Sequence, residues 1–171
     1  ELKFPVGKHT PPEAYNAATV AAHVAEIEAF PQQFAEVTKR LEAQGKLEQT
    51  YRPDGWTARQ VVGHVADSHT HSLLRFKYAL TEDRPDMRGY SQPGWAETPD
   101  IFDTPIEELL DYLTLLHARW VRLMKSMTAD QWQRAFWHVE YQKEYILWWA
   151  ASLYAWHGRH HTAHLQLILD A

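Results

Sequence analysis

Cysteine is missing from all 171 residues. Its absence excludes disulfides, thiolate zinc sites and a cysteine nucleophile at once, leaving imidazole and carboxylate as the available metal ligands. Glycine is scarce, at 7 residues. No G-x-S-x-G, Gly-rich phosphate loop or Walker motif occurs, so serine-hydrolase and nucleotide-binding readings have nothing to stand on. No run of about 18 apolar residues and no leader-like opening is seen, which predicts no membrane span and a soluble cytoplasmic protein. Basic blocks are lacking as well. The balance of 17 Lys and Arg against 22 Asp and Glu, a net charge of −5, argues against a nucleic-acid surface.

Two residue types are in excess, with 8 Trp and 11 His. A chain of this length with 45% apolar residues buries a sizeable core and is expected to form one domain over 1–171. Histidine changes charge or binds metal near neutrality, so its abundance is the first functional lead. The surplus of Trp and Tyr, residues common at interfaces, suits a homodimer.

Periodicity predicts an all-α four-helix bundle. The arm 1–12 carries three Pro and one Gly and reads as extended, with Phe4 and Val6 available to pin it. From about Asn16 to Gly45, Val20, Val24, Ile27, Phe30, Phe34, Val37 and Leu41 form one helical face. Pro31 lies inside that face and predicts a kink or two shorter helices. A second helix starts after Arg52-Pro53-Asp54-Gly55, with Thr57 and Gln60 placed as a capping box, and runs to Leu80. Residues 81–103 read as a long loop that shapes a site, with Tyr90 and Trp95 as its roof. The third helix is expected from Thr104 as cap, with Pro105 at the first helical position and Glu107 closing the box, to about Ser126. Thr128 with Gln131 predicts a short turn, residues 137–146 a small hairpin or irregular link, and Leu147 to Leu169 the last helix.

In the last helix His157, His160, His161 and His164 stand at i, i+3, i+4 and i+7, all on one side. Two pairs, His157/His161 and His160/His164, have the i, i+4 spacing that lets imidazoles converge on one ion, and spacing alone does not choose between them. A third ligand is offered by the second helix, where His64 leads and His69 and His71 are alternatives. Asp67 is placed to orient a ligand imidazole or bind water. A lone His on an apolar face is ordinarily a hydrogen-bonded core residue, which is the reading for His23 and His117. Arg75 lies about three turns beyond His64 and is suited to a substrate carboxylate or a surface salt bridge. Glu140 and Glu144 are candidate bases in an exposed link. Trp56, Trp95, Trp148, Trp149 and Trp156 are candidates for a pocket wall or the core.

The arm LKFPVG, the segment YRPDGWTARQVVGHVADSH at 51–69, LLRFKYALTE at 73–82 and YAWHGRHHTAHL at 154–165 resemble the DinB/YfiT-like four-helix proteins. Within that superfamily they are most similar to the YfiT-type metal-dependent hydrolases. The resemblance implies one Zn²⁺ or Ni²⁺ per chain. The WTxRQVVxH match places one ligand at His64, and the WH that opens the last motif places the pair at His157 and His161, with His160 and His164 as pocket residues and as the rival pair. It further implies a hydrolase, or a transferase using a small cellular thiol, acting on a small molecule. The alternative is a non-catalytic bundle, binding or stress-associated, in which metal only ties helices together. An open fourth position facing a cleft favours the enzyme, and closure by His160 the structural role.

Overall fold

The computed structural model describes residues 2–171. Four long helices build the body: α1 (Ala17–Ala43), α2 (Ala58–Thr81), α5 (Ile106–Lys125) and α7 (Leu147–Asp170). Between α2 and α5 lie a short strand β1 (Asp86–Met87) and two brief helices, α3 (Gln92–Trp95) and α4 (Pro99–Asp103). One turn of helix, α6 (Ala129–Trp132), and the strands β2 (Ala135–His138) and β3 (Lys143–Ile146) separate α5 from α7. The expected hairpin is therefore present, with β2 and β3 antiparallel. β1 adds to β2 in parallel, pairing Asp86 with Trp137.

The helices do not pack in chain order. α1 lies against α7 and α5, α2 lies against those same two helices, and α1 scarcely touches α2. The consecutive pair thus sits across the bundle's diagonal. Trp120, Phe76, Phe34, Ile27, Leu165 and Ile168 fill the space between them. Each of these large side chains stabilises the fold by roughly 1.5–3 kcal/mol on removal from water.

Several ends follow the local rules. Thr57 and Gln60 close the capping box of α2, and Thr128 and Gln131 that of α6. Gly45, at φ +66°, ends α1, and Lys46 donates its N–H to the Leu41 carbonyl. The box expected at Thr104 does not form. Thr104 instead finishes α4, donating to the Asp100 carbonyl, and α5 starts at Ile106 without a side-chain cap. Loop 81–103 is more ordered than its Pro and Gly content implies, because Pro93 and Pro99 sit in the first turns of α3 and α4, where a missing N–H costs nothing. The arm is held by polar contacts more than by Val6, which is exposed. Trp156 Nε1 donates to the Gly7 carbonyl at 3.0 Å, and His9 Nε2 meets Ser152 Oγ at 3.0 Å.

Pro31 does not divide α1, which runs unbroken from Ala17 to Ala43. Proline cannot donate to the carbonyl four residues earlier, so the Ile27 oxygen is left without its helical partner. His117 of α5 supplies a substitute: its Nδ1 donates to that oxygen at 2.7 Å.

Candidate metal centre

His64 on α2 and His157 and His161 on α7 meet where these two helices pack, with one ligand-capable atom of each lying within 4.8 Å of the others. His64 and His161 are buried, and His157 is only partly covered. The Nε2 atoms of His64 and His157 stand 3.3 Å apart. A tetrahedral ion with metal–nitrogen bonds of about 2.0–2.1 Å sets its ligand atoms roughly 3.3–3.4 Å apart, so this edge already has the required length. The rival grouping of His160, His161 and His164 is equally compact and shares His161.

All of these rings are held neutral, as ligation requires. Burial pushes the His64 imidazole down to about 4, helped by His160 and His164. Burial also drives His157 and His161 well below the ordinary value, each aided by the neighbouring imidazoles.

The hydrogen bonds then fix which nitrogen carries each proton. The Ile27 carbonyl only accepts, so His117 Nδ1 carries a hydrogen. Burial keeps His117 neutral, near 4, and its Nε2 therefore accepts from His69 Nδ1 at 2.7 Å. Burial holds His69 neutral too, so its Nε2 accepts from His157 Nδ1 at 3.0 Å. His157 is left with a free lone pair on Nε2, directed at His64. A shorter chain does the same for His161. The Lys3 carbonyl accepts from His164 Nε2 at 3.4 Å, and His164 Nδ1 accepts from His161 Nδ1 at 3.4 Å. Each chain ends on a main-chain oxygen, an acceptor that cannot reverse it.

The orienting role expected of Asp67 falls to His69. The Asp67 carboxyl is raised to about 6 by burial and by the like charge of Asp100, and its main-chain carbonyl takes the hydrogen bond of His71 Nδ1. His71 stacks on Tyr90, with ring centroids 4.2 Å apart, and does not join the cluster. His160 stacks on Trp156 at 4.5 Å, with its Nδ1 buried and unpartnered. His164 stacks on Tyr51 at 3.9 Å. His69 and His117 were the residues sequence reasoning placed elsewhere, one as an alternative ligand and the other as ordinary core. Their one sequence trace is Pro31, which announces an unpaired carbonyl in α1. Close packing completes this wall: Gly158 admits Phe30, where an added Cβ would meet Phe30 Cδ2 at 2.7 Å. The Phe30 ring in turn lies 5.2 Å from His69 and 5.3 Å from His117.

His157 forms part of the wall of a cavity of about 490 Å³, together with Ser68, Arg75, Tyr90, His138 and Tyr154. Gly89, Tyr90, Ser91 and Gln92 from loop 81–103 close one side, as expected of that segment. Trp149 lines the cavity, Trp56 covers His64 at 4.7 Å, and Trp148 is core. Trp95 packs on His71 and Tyr90. Glu140 stands at the cavity edge, where accepting the Gly89 N–H at 2.7 Å holds its carboxylate below the usual range, making it a poor base. Glu144 pairs with Arg84 at 3.5 Å. None of the helices in the described residues is long and apolar enough to cross a membrane.

Comparison with known proteins gives the same outline. The family model described as the DinB superfamily matches residues 26–165. A Bacillus pumilus protein named "Putative metal-dependent hydrolase" is 40% identical over 168 residues, spanning 98% of this chain and 95% of its own. A Bacillus cereus protein of the same description is 42% identical over 165 residues, spanning 96% and 94%. Among solved structures, YfiT from Bacillus subtilis, described as a probable metal-dependent hydrolase with an unusual four-helix bundle topology, matches with a TM-score of 0.94. Its identity is 34% over 98% of this chain and 95% of that one.

Proposed function

The chain belongs to the DinB superfamily, and from that premise we propose that it is a metal-dependent hydrolase of small molecules, with one Zn²⁺ or Ni²⁺ on His64, His157 and His161. The observation that carries this reading is the pair of hydrogen-bond chains that free a lone pair on Nε2 of both His157 and His161. Three neutral imidazoles leave an ion with open positions, the donor set of a catalytic site. An ion so held supplies Lewis acidity, enough to acidify a water or thiol or to polarise an electrophile.

The protein's own part is positioning. His69 and His117 set the tautomer and the ring plane of His157, and His164 does so for His161. The cavity beside His157 admits a small substrate from one side, while Trp56 packs over His64 and Phe30 backs His69 and His117. Glu140 is withdrawn by its bond to Gly89, so the proton is not handed to a carboxylate there.

Metal content measured on untagged protein tests the ligand assignment. His64→Ala and His157→Ala each lose stoichiometric ion, whereas His160→Ala retains it. Retention in the first two with loss in the third moves the site to the rival grouping. Activity is then followed against ester and amide substrates in water and with added small thiols. Turnover only with a thiol assigns group transfer in place of hydrolysis, and an ion that binds without any turnover supports the structural role.

A further inference from the structure

The cavity holds a cation, Arg75, that no carboxylate meets directly; Glu140 lines the same cavity but lies against His138 Nδ1 at 3.4 Å. Arg59, Arg84 and Arg159 each meet a glutamate. Arg75 is half-buried on α2, and among the described residues no carboxylate lies within ion-pair distance of it. Its partners are uncharged: Nη1 donates to the Tyr154 hydroxyl at 3.1 Å, and Nη2 faces His138 Nε2 at 3.4 Å. Its Nε is buried with no partner at all. The Tyr154 hydroxyl passes its own hydrogen to the Ser68 carbonyl at 3.2 Å, so Tyr154 holds the guanidinium in place and offers nothing further.

A second donor waits in the same cavity. The Tyr90 hydroxyl is buried without a hydrogen-bond partner, and burial keeps the phenol protonated. A buried N–H and a buried O–H left unpaired each cost about 1–3 kcal/mol, and the two residues that carry them both line this cavity. Around them the wall is aromatic. The Arg75 guanidinium lies 5.7 Å over Phe136, Phe136 stacks on Tyr145 at 5.6 Å, and Tyr145 contacts Trp149 at 4.8 Å.

We propose that Arg75 and Tyr90 form a carboxylate subsite, and that the molecule turned over beside His157 is a small monocarboxylate with an apolar or aromatic body. A single guanidinium with a free Nε edge and one hydroxyl matches a planar anion of unit charge. A phosphate dianion is ordinarily met by several cations, whereas Arg75 is the one Lys or Arg among the described lining residues. Tyr154 stands one turn before His157, with ring centroids 5.7 Å apart, so the anion grip and the candidate ligand are set on one helix through adjacent side chains. Turnover of such an acid rests on the proposed function; carboxylate binding does not.

The test is ligand binding to the purified chain stripped of divalent ions, followed by tryptophan fluorescence, with phenylacetate, phenylacetamide and phenyl phosphate as probes. Phenylacetate is expected to bind saturably. The neutral amide, and phenylacetate with Arg75→Gln, are expected to bind at least about tenfold more weakly, the loss of one charged hydrogen-bond pair. Tyr90→Phe weakens the acid severalfold. Equal binding of acid and amide, absence of saturable binding, or undiminished binding by Arg75→Gln overturns the subsite. Tighter binding of phenyl phosphate overturns its restriction to carboxylates. If Arg75→Gln fails to fold, the acid–amide comparison and Tyr90→Phe decide. His64→Ala separates the two readings: it is expected to lose its ion and keep phenylacetate, so a failed metal assignment and a failed subsite appear in different measurements.

Discussion

His117 touches no candidate ligand, yet replacing it is expected to weaken metal binding. In His117→Leu two buried groups lose their partner, the Ile27 carbonyl and the Nδ1 hydrogen of His69. Each unmet group costs about 1–3 kcal/mol, offset in part by the added apolar burial of leucine, so the metal-free protein should lose roughly 1–4 kcal/mol in urea unfolding. The larger consequence lies at the far end of the chain. Without His117 the His69 ring is free to carry its hydrogen on Nε2, which turns a donor towards His157 Nδ1 and drives the His157 proton onto the nitrogen that faces His64. Loss of such an outer hydrogen bond lowers metal affinity by about 10–100-fold, or about 1.4–2.8 kcal/mol. Competition with a chromophoric chelator on the folded variant measures this directly. If folded His117→Leu binds Zn²⁺ as tightly as the parent chain, the tautomer argument fails.

Acid should destabilise the metal-free protein over a definite range. His64 and His117 are depressed to about 4, and His69, His157 and His161 lie well below their ordinary value. The unfolded chain therefore binds more protons below about pH 6.5, and stability present above that value falls as the pH drops towards 4. Urea titrations at pH 7.5 and pH 5 check the sign, and equal stability at both would contradict neutral burial of the cluster. Gly158→Ala should cost about 1–3 kcal/mol by pressing on Phe30, and should also weaken Zn²⁺ binding because Phe30 backs His69 and His117. A variant as stable and as tightly binding as the parent would show that Phe30 moves aside freely.

The long helices were legible because their apolar residues recur at three and four, and because Thr57/Gln60 and Thr128/Gln131 satisfy a local capping rule that tertiary context left undisturbed. Thr104 followed the same rule on paper and failed it, since closing α4 had already used its backbone. α3 and α4 were hidden for a related reason: at four and five residues they are shorter than any periodicity can register. The convergence of His64 with the α7 imidazoles was anticipated from the resemblance, while spacing left two pairs because all four α7 histidines share a face. The line from Ile27 through His117 and His69 to His157 was out of reach. It joins four helices through space, and its acceptor is created by what Pro31 lacks. Arg75 was placed in a site or a salt bridge, and only coordinates exclude the latter.

The diagonal arrangement of α1 and α2 makes α7 the keystone of the molecule. Until the last helix wedges between them, α1 lacks its main partner and α2 one of its two, and two of the three candidate donors are absent from the assembling core. Contacts this distant along the chain form late. Uptake of a metal ion would then clock the final closing step of folding, and a stopped-flow record of Zn²⁺ capture during refolding would time the arrival of α7.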